Sequence, residues 1–138
     1  MNFTTGTLCM IFLSLMLAAC DSGGSAAEHV ASAKQYIASG EQNAAEIELK
    51  NALQKDNQYV EARWLLGKTY LDSGDMLSAE KELQRALQLG WSQNDVLPAL
   101  ALSLRAQGKY AEVGELDDTG LQPRAEADLL AAKSLSAL

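Results

Sequence analysis

The hydrophobic and polar positions divide the chain at Cys20. Residues Met1 to Ala19 hold no charged side chain, and Leu8 to Ala19 form an apolar run broken only by Ser14. Such a run is too short to cross a bilayer as a stable helix, but its length and position suit a secretory signal. Asp21 to Ser25 is small, polar and glycine-rich, the composition of a flexible tether. From Ala26 the chain turns to Ala, Leu, Glu, Gln and Lys with almost no proline, which favours helix throughout, and β-branched residues are too few for strands. The pattern predicts helices over Ala27 to Ser39, Asn43 to Lys55, Val60 to Ser73, Leu77 to Leu89, Asp95 to Gln107 and Tyr110 to Leu116, with a last one over Ala125 to Leu138. Pro98 is expected in a first helical turn, where its missing N–H has no partner to lose.

These helices repeat. Gly40, Gly74 and Gly108 lie 34 residues apart, and laying 26–59 over 60–93 without a gap matches Lys34 with Lys68, Tyr36 with Tyr70 and Ala45 with Ala79. Glu48, Leu49, Ala52, Leu53 and Gln54 recur as Glu82, Leu83, Ala86, Leu87 and Gln88. After Tyr110 the ladder decays: Val113 and Asp117 stand where alanine and a large residue are expected, so the second helix of the third unit is expected to be short.

The period and residue types resemble the tetratricopeptide repeat, a helix-turn-helix unit. Its motif asks for a small residue in helix A, an aromatic three places later, glycine at the turn, then alanine, a large residue and alanine along helix B. Ala33, Tyr36, Gly40, Ala45, Leu49 and Ala52 supply this in the first unit; Gly67, Tyr70, Gly74, Ala79, Leu83 and Ala86 supply it in the second. Trp64 stands one place later than the family's usual tryptophan, and Asn57 and Trp91 replace a common closing proline. The resemblance implies an all-α solenoid of antiparallel helix pairs with units at about 26–59, 60–93 and 94–122 and a partial one at 123–138. The small residues let helices approach closely, and the glycine past helix A ends it in a left-handed conformation. The last helix is apolar over much of its circumference, where a terminal helix should present a polar face, so the natural protein is expected to continue.

Leu17, Ala18, Ala19 and Cys20 resemble the lipobox of bacterial lipoproteins, although Met1 to Thr7 lacks the basic residues usual in a signal. That resemblance implies cleavage after residue 19, a diacylglycerol on the Cys20 thiol and an acyl chain such as palmitate on the new amino terminus. Residues 20–26 then form the lipidated cysteine and tether, and 27–138 the solenoid. The alternative is an ordinary signal with a chance cysteine, or an uncleaved anchor. Asp21 resembles the inner-membrane retention residue of enteric lipoproteins, leaving inner and outer membrane both open. With this lipobox, stretches such as 48–54, 61–68 and 80–87 and the run Gln107 to Tyr110 resemble the PEP-CTERM system TPR-repeat lipoproteins. That implies a periplasm-facing scaffold for envelope proteins beside exopolysaccharide production and exosortase-linked sorting. A short lipoprotein that pilots pilus or secretin subunits is the alternative.

Charge and cysteine content narrow the chemistry. The formal net charge of -7 lies wholly after Ala19, which argues against a nucleic-acid ligand. Cys9 leaves with the signal and Cys20 is consumed by lipid, so no internal disulfide is expected and the fold must stand on its apolar core. His29 is the single histidine, with no cysteine near it, and reads as a surface residue; no metal, cofactor or catalytic site is expected. Glu46, Glu48, Glu80 and Glu82 repeat with the helices and read as a solvated face.

The informative surface is the concave one, which in the resembled family is lined by helix A. Carrying over its groove-facing places gives Val30, Lys34 and Ile37, then Trp64, Lys68 and Leu71, then Leu102 and Arg105. A basic strip beside an aromatic ring suits an acidic peptide or a sugar. The competing expectation packs Trp64 between repeats and leaves Lys34 and Lys68 as ordinary solvated residues. The asparagine-and-lysine clamp of chaperone-binding members is not matched. Oligomeric state is not legible.

Overall fold

A computed structural model describes residues 23–136; the apolar leader and Cys20 lie outside them. The described residues form α1 (Ala26–Ser39), α2 (Gln42–Lys55), α3 (Val60–Ser73), α4 (Met76–Gln88), α5 (Gln93–Ala106), α6 (Tyr110–Glu115) and α7 (Pro123–Ser136). This is the expected all-α solenoid. α1 packs on α2, α2 on α3, α3 on α4 and α4 on α5, and α7 closes against α5 and α6.

Local chemistry sets where the helices start and stop. Ser25, read from sequence as tether, is the N-cap of α1: its hydroxyl accepts from the Glu28 N–H while the Glu28 carboxylate accepts from the Ser25 N–H. At the turns, Gly40, Gly74 and Gly108 adopt φ of 80°, 84° and 75°. The next residue's N–H then reaches back to Tyr36, Tyr70 or Leu104, satisfying a carbonyl the helix leaves free. α5 begins at Gln93, two residues before the expected start, so Pro98 sits inside the helix and not in its first turn. The Asn94 carbonyl therefore lacks the amide partner that position would normally supply.

Small residues fix how closely the pairs approach. Ala33, Gly67 and Ala101 recur at the unit spacing; both alanines are fully buried, and a Cβ on Gly67 would lie 2.8 Å from Leu83 Cγ. Leu49 and Leu83, wholly buried on helix B, fill the space beside them, each contributing about 2 kcal/mol of apolar burial. Val113 is also fully buried, in the alanine's place, and α6 stops at Glu115, before the exposed Asp117. The core forms two clusters, one from α1, α2 and α3 and one from α4 to α7, with Tyr70 packed against both.

Candidate functional site: the groove along the A helices

Because α4 returns antiparallel between α3 and α5, and α6 between α5 and α7, the odd-numbered helices run in the same sense and share one side of the solenoid. Their free faces enclose a groove of about 710 Å³. Trp64, Lys68 and Leu71 enter it from α3, Pro98, Leu102 and Arg105 from α5, and Arg124, Asp128 and Leu135 from α7. Four of the five residues expected to bind a partner, Trp64, Lys68, Leu71 and Arg105, thus line a single surface. Lys34 does not: its Nζ is 2.6 Å from the Glu61 carboxylate. Val30, expected to face the groove, is buried at 2 % exposure among Ala33, Ala62 and Leu66, because α3 covers that face of α1. Ile37 is half-buried. The basic strip therefore starts at the second unit.

Trp64 both packs against its neighbours and lines the groove. Its ring stacks on Trp91 with centroids 6.0 Å apart and planes 21° from parallel, and it packs against the larger core cluster. Its other surroundings are the groove, where Lys68 Nζ lies 5.9 Å from the ring centroid. The tryptophan in the usual proline position thus holds the groove's aromatic wall. Asn94, Asp95, Arg124, Asp128 and Leu135 were not anticipated. For Arg124, Asp128 and Leu135 the signal was present, because the shorter third unit shifts the α7 register and brings them to the groove-facing places.

Glu80 and Glu82, expected on a solvated face, are buried at 8 % and 7 % exposure. A helix B packs against the next helix A as well as its own, so the carboxylates point into seams. Arg63 donates to Glu82 at 2.6 Å and to the Asn57 carbonyl at 2.9 Å. Glu80 accepts from Lys109 at 2.7 Å and from Gln107 at 2.8 Å. Burial alone would raise the Glu80 carboxyl, but these donors outweigh it and hold it below the usual carboxylate range. Lys109 is held above the usual lysine range by the same contact. His29 is not a free surface residue either: its Nδ1 is 2.6 Å from Glu48. These paired groups tie neighbouring helices together. Among the described residues, no group of three or more His, Cys, Asp or Glu is placed to hold a metal ion, and no helix is long and apolar enough to cross a membrane.

Comparison with known proteins agrees with this geometry. The tetratricopeptide-repeat family model matches residues 30–90, from within α1 to just past α4. No curated protein matches the chain. Residues 30–90 thus match tetratricopeptide repeats, which are protein–protein interaction modules.

Proposed function

We propose that this repeat-containing chain is a lipid-anchored scaffold, held to the periplasmic side of the cell envelope through Cys20, that binds a protein or peptide partner in the groove between α3, α5 and α7. The observation that carries the binding role is the convergence of Trp64, Lys68, Leu71, Leu102 and Arg105 on that groove, with Leu102 45 % exposed there. An exposed apolar side chain flanked by cations is costly to leave in water and favours a partner that covers it. The anchor is supported by the lipobox-like run Leu17 to Cys20 and the tether behind it. The sequence resemblance to PEP-CTERM system lipoproteins supports a role in recruiting envelope proteins beside exopolysaccharide production and exosortase sorting.

Two variants of the full chain in its native bacterium test this. Leu102→Asp should keep the thermal midpoint and lose crosslinking to envelope proteins of polysaccharide assembly. Cys20→Ala should lose acylation and move to the soluble periplasmic fraction. Crosslinks unchanged by Leu102→Asp would refute the groove, crosslinks to pilus or secretin subunits would refute the polysaccharide link, and membrane retention of Cys20→Ala would refute the lipid anchor.

A further inference from the structure

The cations of this acidic chain are unevenly satisfied. Lys34, Lys50, Arg63, Lys109 and Lys133 each pair with a carboxylate on the same or a neighbouring helix or loop. Lys68, Arg105 and Arg124 pair with none among the described residues and all three line the groove, whereas Lys81 and Arg85, likewise without an ion pair, line a separate cleft beside Glu82. On a chain of net charge -7, with carboxylates outnumbering cations 18 to 11, leaving these three unpaired on one surface concentrates positive potential there.

The groove is also graded along its length. The A helices run in parallel, so residues early in α5 and α7 share one end and residues late in α3, α5 and α7 share the other. The early end holds Asn94, Asp95, Arg124 and Asp128 and is mixed in charge. The late end holds Lys68 and Arg105 with Leu71, Leu102 and Leu135, and no carboxylate among the described residues lines it. Leu102 and Leu135 are 45 % and 55 % exposed there. A cation whose carboxylate partner is absent, set beside an exposed leucine, matches a ligand that brings both a carboxylate and an apolar side chain.

We propose that the groove takes a partner peptide in which acidic side chains alternate with apolar ones, its carboxylates meeting Lys68 and Arg105 and its apolar side chain lying on Leu71, Leu102 and Leu135. This rests on the groove being the binding surface and adds the sign and polarity of what it binds. Lys68 is held over the Trp64 ring, so its ammonium is already positioned when the carboxylate arrives.

Three synthetic peptides of equal length test it against the full chain in detergent: one alternating Leu with Asp and Glu, one with Lys in place of the acids, and one with Gln. Tryptophan fluorescence and calorimetry read binding. The acidic peptide should bind roughly tenfold tighter than the lysine peptide, with the glutamine peptide between them. K68E/R105E should reverse the order, and K68Q/R105Q should erase it while the thermal midpoint holds. No preference, a preference for lysine, or an acidic preference that survives K68E/R105E overturns the proposal. If all three peptides bind and Leu102→Asp abolishes each, the groove stands and only the acidic specificity falls. If none binds, the proposal falls, and the Leu102→Asp crosslinking decides the groove separately.

Discussion

Arg63 meets Glu82 at 2.6 Å, and 34 residues earlier His29 and Glu48 make the same contact at the same distance. In the third unit these two places are Leu97 and Leu116, both part of the larger apolar cluster. Equivalent seams thus use imidazole with carboxylate in the first unit and guanidinium with carboxylate in the second, while both places are apolar in the third. Arg63→Leu leaves the Glu82 carboxylate buried without its cation and should destabilise the fold by about 3 kcal/mol. Replacing both partners, Arg63→Leu with Glu82→Leu, copies the third unit and should recover most of that loss, since a matched apolar pair removes the uncompensated charge. Urea unfolding followed by circular dichroism measures both. A double variant no more stable than the single would show that the seam is not interchangeable.

The repeat ladder explains why so much of this fold was legible. Gly40, Gly74 and Gly108, with the small residues at 33, 67 and 101, fix helix ends and helix spacing locally, and those are properties of residue type and interval. Glu80 and Glu82 were misread because their fate depends on partners distant in sequence, Lys109 and Arg63, and a periodic glutamate looks the same whether solvated or paired. Lys34 lies outside the groove for the same reason, its Glu61 partner lying on the next helix A. The half of the groove on α7 escaped because the third unit is shorter, so carrying positions forward by the full period overshoots Arg124 and Asp128.

Gly67 should be the least replaceable small residue of the described solenoid. Ala33 and Ala101 show that a methyl is tolerated at the same place in other units, but at Gly67 it would meet Leu83 at 2.8 Å from Cγ and 3.3 Å from the backbone nitrogen. Helix propensity favours alanine by about 1 kcal/mol. Overpacking should outweigh it, leaving Gly67→Ala less stable by about 1 kcal/mol net. Adding Leu83→Val should recover part of the loss. A Gly67→Ala variant that melts above wild type would mean α3 and α4 can separate freely.

Glu80 gives the second and third units a dependence on acid. Its folded-state carboxyl is held below the usual range by Lys109 and Gln107, so its contribution is complete above the unfolded carboxyl's ordinary range and lost as pH falls through the folded value. Glu80→Gln cannot titrate and loses the ion pair at every pH. The gap in thermal midpoint between wild type and Glu80→Gln should therefore be widest near neutrality and close as pH falls from about 5 toward 3. A gap that widened as pH fell would mean that burial, not the Lys109 pair, controls the carboxyl.

Trp64 and Trp91 separate packing from binding, because the two rings stack on each other but Trp64 alone lines the groove. Either tryptophan changed to alanine removes the stack and part of the apolar contact with the core. Each ring is only partly buried, so the cost should be about 2 kcal/mol, below that of a fully enclosed ring. Both variants should keep their helical circular dichroism and lose the near-ultraviolet signal of the coupled indoles. Only Trp64→Ala removes the surface over which Lys68 is held, so it should weaken binding of the acidic peptide more than Trp91→Ala does at matched stability. Equal losses of affinity would assign the whole effect to packing and leave Lys68 and Arg105 as the only groove residues that select the ligand.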